Sequence, residues 1–208
     1  MSNQGLYLYP VWLRIWHGVN ALGIILLIFT GISMQYGNID YPLLPFKVSV
    51  MIHNISGIVV SIGYVVFAIA NHFSNNAKQY VPNYKGFGQR IMKQTTYYVF
   101  GYFKGEPKPF PITKDNKFNP LQRLSYITVM YIFVPLIVFT GVGLLYPQLI
   151  FSKIFNMGGV QFIAVLHAIA GFFISLFLII HLYVASIGKH PLKNYSSIIT
   201  GYHSTEDH

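Results

Sequence analysis

The stretch "LHAIAGFFISLFLIIHLYVA", Leu166 to Ala185, is apolar enough to cross a bilayer yet carries two histidines, His167 and His181. Their fourteen-residue spacing turns a helix through about 1400°, so the two side chains share one face about 21 Å apart along the axis. An ionisable side chain inside a membrane span marks a functional site by default. Neutral imidazole is the commonest protein metal ligand and suits iron. Two imidazoles on opposite sides of a porphyrin give six-coordinate iron with no open position, which serves electron transfer better than oxygen binding. A helix offering one imidazole toward each leaflet therefore needs a partner histidine at each depth.

The partners must come from other spans. The chain has 208 residues, 53% hydrophobic and 9% charged, with a mean hydropathy of +0.49. Soluble domains are about 25% charged, so the composition is that of an integral membrane protein. Four apolar runs, 11–36, 48–73, 121–146 and 159–187, each exceed the roughly 20 residues that span a bilayer. The first is no signal peptide: it is too long, holds Arg14 and His17, and lacks a small-residue cleavage site before "YGNIDYP". The absence of cysteine excludes disulfides, cysteine-ligated iron–sulfur clusters and covalent C-x-x-C-H haem attachment.

The formal net charge of +9 is lopsided. Lys78, Lys85, Arg90, Lys93, Lys104, Lys108, Lys114 and Lys117 crowd the loop 74–120, and Arg123 follows. The other two connections hold one lysine each, Lys47 and Lys153, while Lys189 and Lys193 lie in the tail 188–208. The positive-inside rule then makes both termini and the long basic loop cytoplasmic. The charge reports orientation and anionic lipid contact, not nucleic acid. The loop is too long for a plain connector; its "TTYYVFGYFKGEPKPFPI" reads as a segment lying on the membrane surface. The expected fold is a single all-α membrane domain, a four-helix bundle with no internal repeat and no periplasmic domain of its own.

This topology places His17 near the cytoplasmic face, His53 near the outside, His72 near the inside, His167 outside and His181 inside. His17 can face His181, and His53 can face His167, giving one pair per leaflet. Gly57 and Gly171 stand four residues after His53 and His167, where bare backbone would admit a flat macrocycle; ordinary close helix packing is their other reading, as it is for Gly63. Arg14, one turn before His17, can meet a haem propionate. His72 reads as an interfacial anchor, or else as part of a quinone pocket or a substitute inner ligand. His190, His203 and His208 read as solvated tail residues.

The stretches "PVWLRIWHGVNALGIILLIFTGISM", "MIHNISG", "GYFKGEPKPF", "KFNPLQRLSYITVMYIFVPLIVFTG" and "LHAIAGFFISLFLIIHLYVA" together resemble the four-helix di-haem cytochromes b that anchor respiratory enzymes. That family includes bacterial cytochrome b561, the b-type subunit of nickel–iron hydrogenases and the gamma subunit of formate dehydrogenase; the branch most resembled is the thiosulfate reductase cytochrome b subunit. The resemblance covers nearly the whole chain and rests on the order of the stretches rather than on any single one. It implies two haem b groups, ligated by His17 with His181 on the inside and His53 with His167 on the outside. It also implies a quinone site near the inner haem, which maps onto "KFNPLQR" and makes Asn119 and Gln122 candidate quinone contacts. Asn119 before Pro120 is equally a helix cap.

The function expected from the resemblance is transfer of electrons across a bacterial cytoplasmic membrane, between an extracytoplasmic redox protein or catalytic subunit and the menaquinone or ubiquinone pool. A different class of function is a self-contained haem b enzyme linking quinone to superoxide or a small acceptor without a stable partner. A third is a haem-free anchor, or a zinc or proton pathway; it predicts a colourless protein.

Overall fold

The computed structural model describes residues 5–37, 43–81, 84–187 and 193–203; His190 and His208 lie outside them. Four helices are long and apolar enough to cross a membrane: Val11–Tyr36 (α1), Phe46–Phe73 (α2), Pro120–Leu145, and Gly159–Ala185 (α6). Each has 26 to 28 residues and so reaches about 40 Å, enough for the hydrocarbon and part of each interface. The third span is built from Pro120–Thr128 (α4), a π-helical turn over Val129–Phe133, and Val134–Leu145 (α5). Pro135 explains the wide turn, since it lacks an N–H and its ring crowds the preceding turn.

The chain forms two compact units. One comprises Ile15–Ile69 and Tyr131–Leu178 and holds the greater part of α1, α2, α5 and α6. Many of its buried residues are small and often polar: Thr30, Ser49, Thr140 and Ala170 are fully enclosed, with Phe67 the large exception. Phe139 and Phe172 are exposed to what would be lipid. Membrane helices pack this way, because small side chains let backbones approach while large apolar ones face the acyl chains. Gly23 shows the closeness, since a Cβ there would stand 2.5 Å from Val60 Cγ2 on α2. Trp16 Nε1 donates to the Gly63 carbonyl at 2.8 Å and its ring stacks on Phe67. After α5, the pair Lys153–Ile154 (β2) and Met157–Gly158 (β3) makes a tight hairpin. Its two turn residues, Phe155 and Asn156, both have positive φ, as a primed turn demands.

The other unit comprises Met1–Arg14, Ala70–Met130 and Ile179–His208. The long loop is partly structured within it, by a 3-10 turn Asn75–Tyr80 and by Phe87–Thr96 (α3), which runs into a π-helical turn at Tyr97–Gly101. A short helix Lys193–Thr200 (α7) precedes an antiparallel pairing of Leu6–Tyr7 (β1) with Tyr202–His203 (β4). Leu8 N and Tyr9 N both donate to the Gly201 carbonyl. Gly201 sits at φ 89, and a Cβ there would meet the Tyr9 carbonyl oxygen at 2.9 Å. Leu6–Tyr9 and Gly201–His203 are thereby tied to each other within this unit. His203 is buried by its pairing with Leu6, so the expectation of a solvated tail residue fails there.

Candidate functional site

Two helical hairpins build the same local arrangement in the unit that holds His53 and His167. On α1, Thr30 Oγ1 donates to the Leu26 carbonyl at 2.6 Å and lies 2.9 Å from His53 Nδ1 on α2. On α5, Thr140 Oγ1 donates to the Leu136 carbonyl at 2.7 Å and lies 2.9 Å from His167 Nδ1 on α6. Each threonine is followed by a glycine against the same imidazole. A Cβ on Gly31 would stand 3.6 Å from His53 Cε1, and one on Gly141 3.3 Å from His167 Cε1.

The echo extends along the partner helices. "HNISGIVVS" from His53 and "HAIAGFFIS" from His167 share a His-x3-Gly-x3-Ser spacing. Ser61 and Ser175 donate back to the Gly57 and Gly171 carbonyls. A Cβ on Gly57 would stand 3.8 Å from Leu27, and one on Gly171 3.8 Å from Ile137, three residues before each threonine. The chain thus contains a repeat that the expectation of none overlooks. Its legible sign is "IFTG" at 28–31 against "VFTG" at 138–141, followed by the two histidine stretches.

The hairpins bring His53 and His167 to ring centroids 6.2 Å apart, with planes at 62°. A metal–imidazole bond is about 2 Å, and a five-membered ring with bonds of about 1.33 Å has a radius of about 1.1 Å. A metal between two imidazoles thus sets the centroids about 6 Å apart, as found. Among the described residues no three His, Cys, Asp or Glu side chains gather to hold an ion. Two imidazoles alone hold a bare ion poorly; a macrocycle carrying four nitrogens completes the coordination. The residues fit haem.

The remaining candidates lie along the same spans. His17 is half-buried on α1. His181, on α6, has the Tyr126 hydroxyl 3.4 Å from its Nδ1, and the two rings meet edge to face. Arg14 donates to the Ile199 carbonyl at 2.5 Å, while its buried Nε has no hydrogen-bond partner among the described residues. His72 is exposed, edge-on to Phe73.

Asn119 and Gln122 form a reciprocal capping box at the start of α4. Asn119 Oδ1 accepts from Gln122 N at 2.9 Å, and Gln122 Oε1 accepts from Asn119 N at 3.2 Å. Asn119 Nδ2 also donates to Tyr98 Oη at 2.8 Å. Burial pushes the Tyr98 phenol above its ordinary value, and the bond from Asn119 partly opposes this. The phenol keeps its proton at neutral pH. Tyr98, Thr30, Thr140, Gly31 and Gly141, which stand against these candidates, are absent from the sequence expectations.

The family model of prokaryotic cytochrome b561 matches residues 8–201. A relative from Escherichia coli (strain K12), named "Putative cytochrome YdhU", is 36% identical over 201 residues, covering 96% of this chain and 75% of the relative. The histidine pair, the four spans and these matches agree. This chain belongs to the prokaryotic cytochrome b561 family, as a membrane-spanning b-type cytochrome with haem b as its cofactor and electron transfer as its activity.

Proposed function

We propose that the chain acts as a single membrane domain holding two haem b groups, and that it carries electrons between an extracytoplasmic redox partner and the quinone pool. The observation that carries this reading is the His53–His167 pair, whose centroid separation of 6.2 Å suits one iron between two imidazoles. His17 and His181 supply the second pair, by their matched depths in the sequence. When bound, haem b supplies a one-electron ferric–ferrous couple. The protein's own residues do the rest. Apolar helices exclude water from the ligands and so help set the potential. The Arg14 guanidinium, with a donor nitrogen to spare, holds a propionate at the cytoplasmic end. The basic loop keeps that end inside.

Quinone binds beside Tyr98, Asn119 and Gln122. The amide Nε2 of Gln122 is not used by the cap, whose bonds run through Asn119 Oδ1 and Gln122 Oε1, so it donates to a quinone oxygen. Tyr98 Oη holds one of the two protons that two-electron reduction of quinone to quinol requires, the second comes from the cytoplasm, and His72 relays protons to the surface. Because this site takes protons from the cytoplasm, quinone reduction there adds to the membrane potential. The partner docks at the two short connections and is a redox protein or a catalytic, iron–sulfur or cytochrome subunit.

Reduction of the purified protein by a menaquinol analogue tests the quinone link. The analogue is expected to reduce the haem that dithionite reduces. Tyr98→Phe and Gln122→Ala should slow that reduction about tenfold or more with haem content unchanged. Haem that dithionite reduces and quinol leaves oxidised would contradict the proposal.

A further inference from the structure

The two threonines that back the histidine pair do more than pack. Each is fully buried, and each hydroxyl has a single proton to give. Thr30 places that hydroxyl 2.6 Å from the Leu26 carbonyl, and Thr140 places its own 2.7 Å from the Leu136 carbonyl. A carbonyl oxygen can only accept, so at these distances the proton lies on that line. The hydroxyl oxygen must then accept from the imidazole, whose Nδ1 is 2.9 Å away in both hairpins. Back-bonding to the carbonyl four residues earlier is ordinary for a threonine in an apolar helix. A second contact to a histidine, repeated at equal distance in two hairpins, is not ordinary.

We propose that Thr30 and Thr140 are paired positioning residues of one haem site: each accepts Nδ1–H of the histidine it faces, fixes the ring's tautomer and plane, and leaves Nε2 as the nitrogen that ligates iron. The inference rests on the reading of His53 and His167 as axial ligands. Gly141 adds to the device, because a Cβ there would stand only 3.3 Å from the His167 edge, whereas Gly31 leaves His53 ordinary room at 3.6 Å. An acceptor on the distal N–H of a ligating histidine fixes its orientation and raises its basicity. A more basic ligand favours the ferric state, so both threonines hold the potential of this haem down.

The experiment is a redox titration and ferric EPR spectrum of the purified haem protein, with Thr30→Val, Thr140→Val, the double variant and the two serine variants. Each valine variant should shift the ferric–ferrous equilibrium of one haem toward ferrous by a few-fold to about tenfold; tenfold is about 59 mV for one electron. The double variant should shift it further, and the other haem should not move. Serine keeps the hydroxyl and should restore both potential and spectrum. A valine variant with wild-type potential and spectrum would overturn the proposal, as would serine variants that behave like valine.

Where valine variants do not accumulate, the wild-type spectrum decides. Planes held at 62° should give a strongly anisotropic low-spin ferric signal for this haem, whereas the rhombic signal of near-parallel imidazoles would refute the assigned ring positions. His53→Ala and His167→Ala, measured alongside, test the ligand assignment itself. If they keep every haem, that assignment fails; if they lose one while the threonine variants change nothing, only the present inference fails.

Discussion

A hydroxyl stands at Nδ1 of His53, His167 and His181, from Thr30, Thr140 and Tyr126 respectively. The two threonine contacts are short and the tyrosine contact is long, so the first pair is the more tightly fixed. The glycines beside that pair differ in the room they leave. A Cβ at 3.3 Å from an imidazole carbon forces the ring to give, while one at 3.6 Å is an ordinary contact. Gly141→Ala should therefore disturb the haem spectrum and lower haem occupancy, and Gly31→Ala should do so less or not at all. Absorbance and EPR of the two variants at equal protein concentration check this; equal effects, or a larger effect at Gly31, would contradict the geometry.

At the scale of elements, the spans were legible because each is an uninterrupted apolar run bounded by polar residues. The observed ends, at Phe46, Pro120, Leu145 and Ala185, lie within two residues of those expected. The histidines were legible because ionisable groups in such runs are rare. The threonines were not, since a threonine in an apolar helix normally bonds its own backbone and signals nothing more. The hairpin repeat was hidden by unequal connections: Thr30 and His53 are 23 residues apart, Thr140 and His167 are 27. The clamp between β1 and β4 left no trace in the sequence, because two-residue strands carry no periodicity. That clamp turns on Gly201, at φ 89 with the Tyr9 carbonyl 2.9 Å from where a Cβ would be. Gly201→Ala should cost about 1–3 kcal/mol locally and release the C-terminal segment. Limited proteolysis should cut the tail faster in the variant, with haem content preserved; equal protection would show that the clamp does not hold the tail.

For the whole molecule, the duplicated hairpin is kept around His53 and His167 and diverges fourteen residues away from them. Fourteen residues before Thr30 stands Trp16, and fourteen before Thr140 stands Tyr126; fourteen after His53 stands Phe67, and fourteen after His167 stands His181. Trp16 stacks on Phe67, and Tyr126 meets His181 edge to face. The corresponding positions therefore pair aromatics in both hairpins, yet only α6 supplies a histidine there. The surroundings of His53 and His167 are thus equivalent halves, and those of Trp16 with Phe67 and of Tyr126 with His181 are unlike. The most direct test of this account is haem b counted per chain in purified wild-type protein and in His167→Ala. Two haems per chain falling to one is the predicted result; a wild-type protein without haem, or a count unchanged by loss of His167, would contradict it.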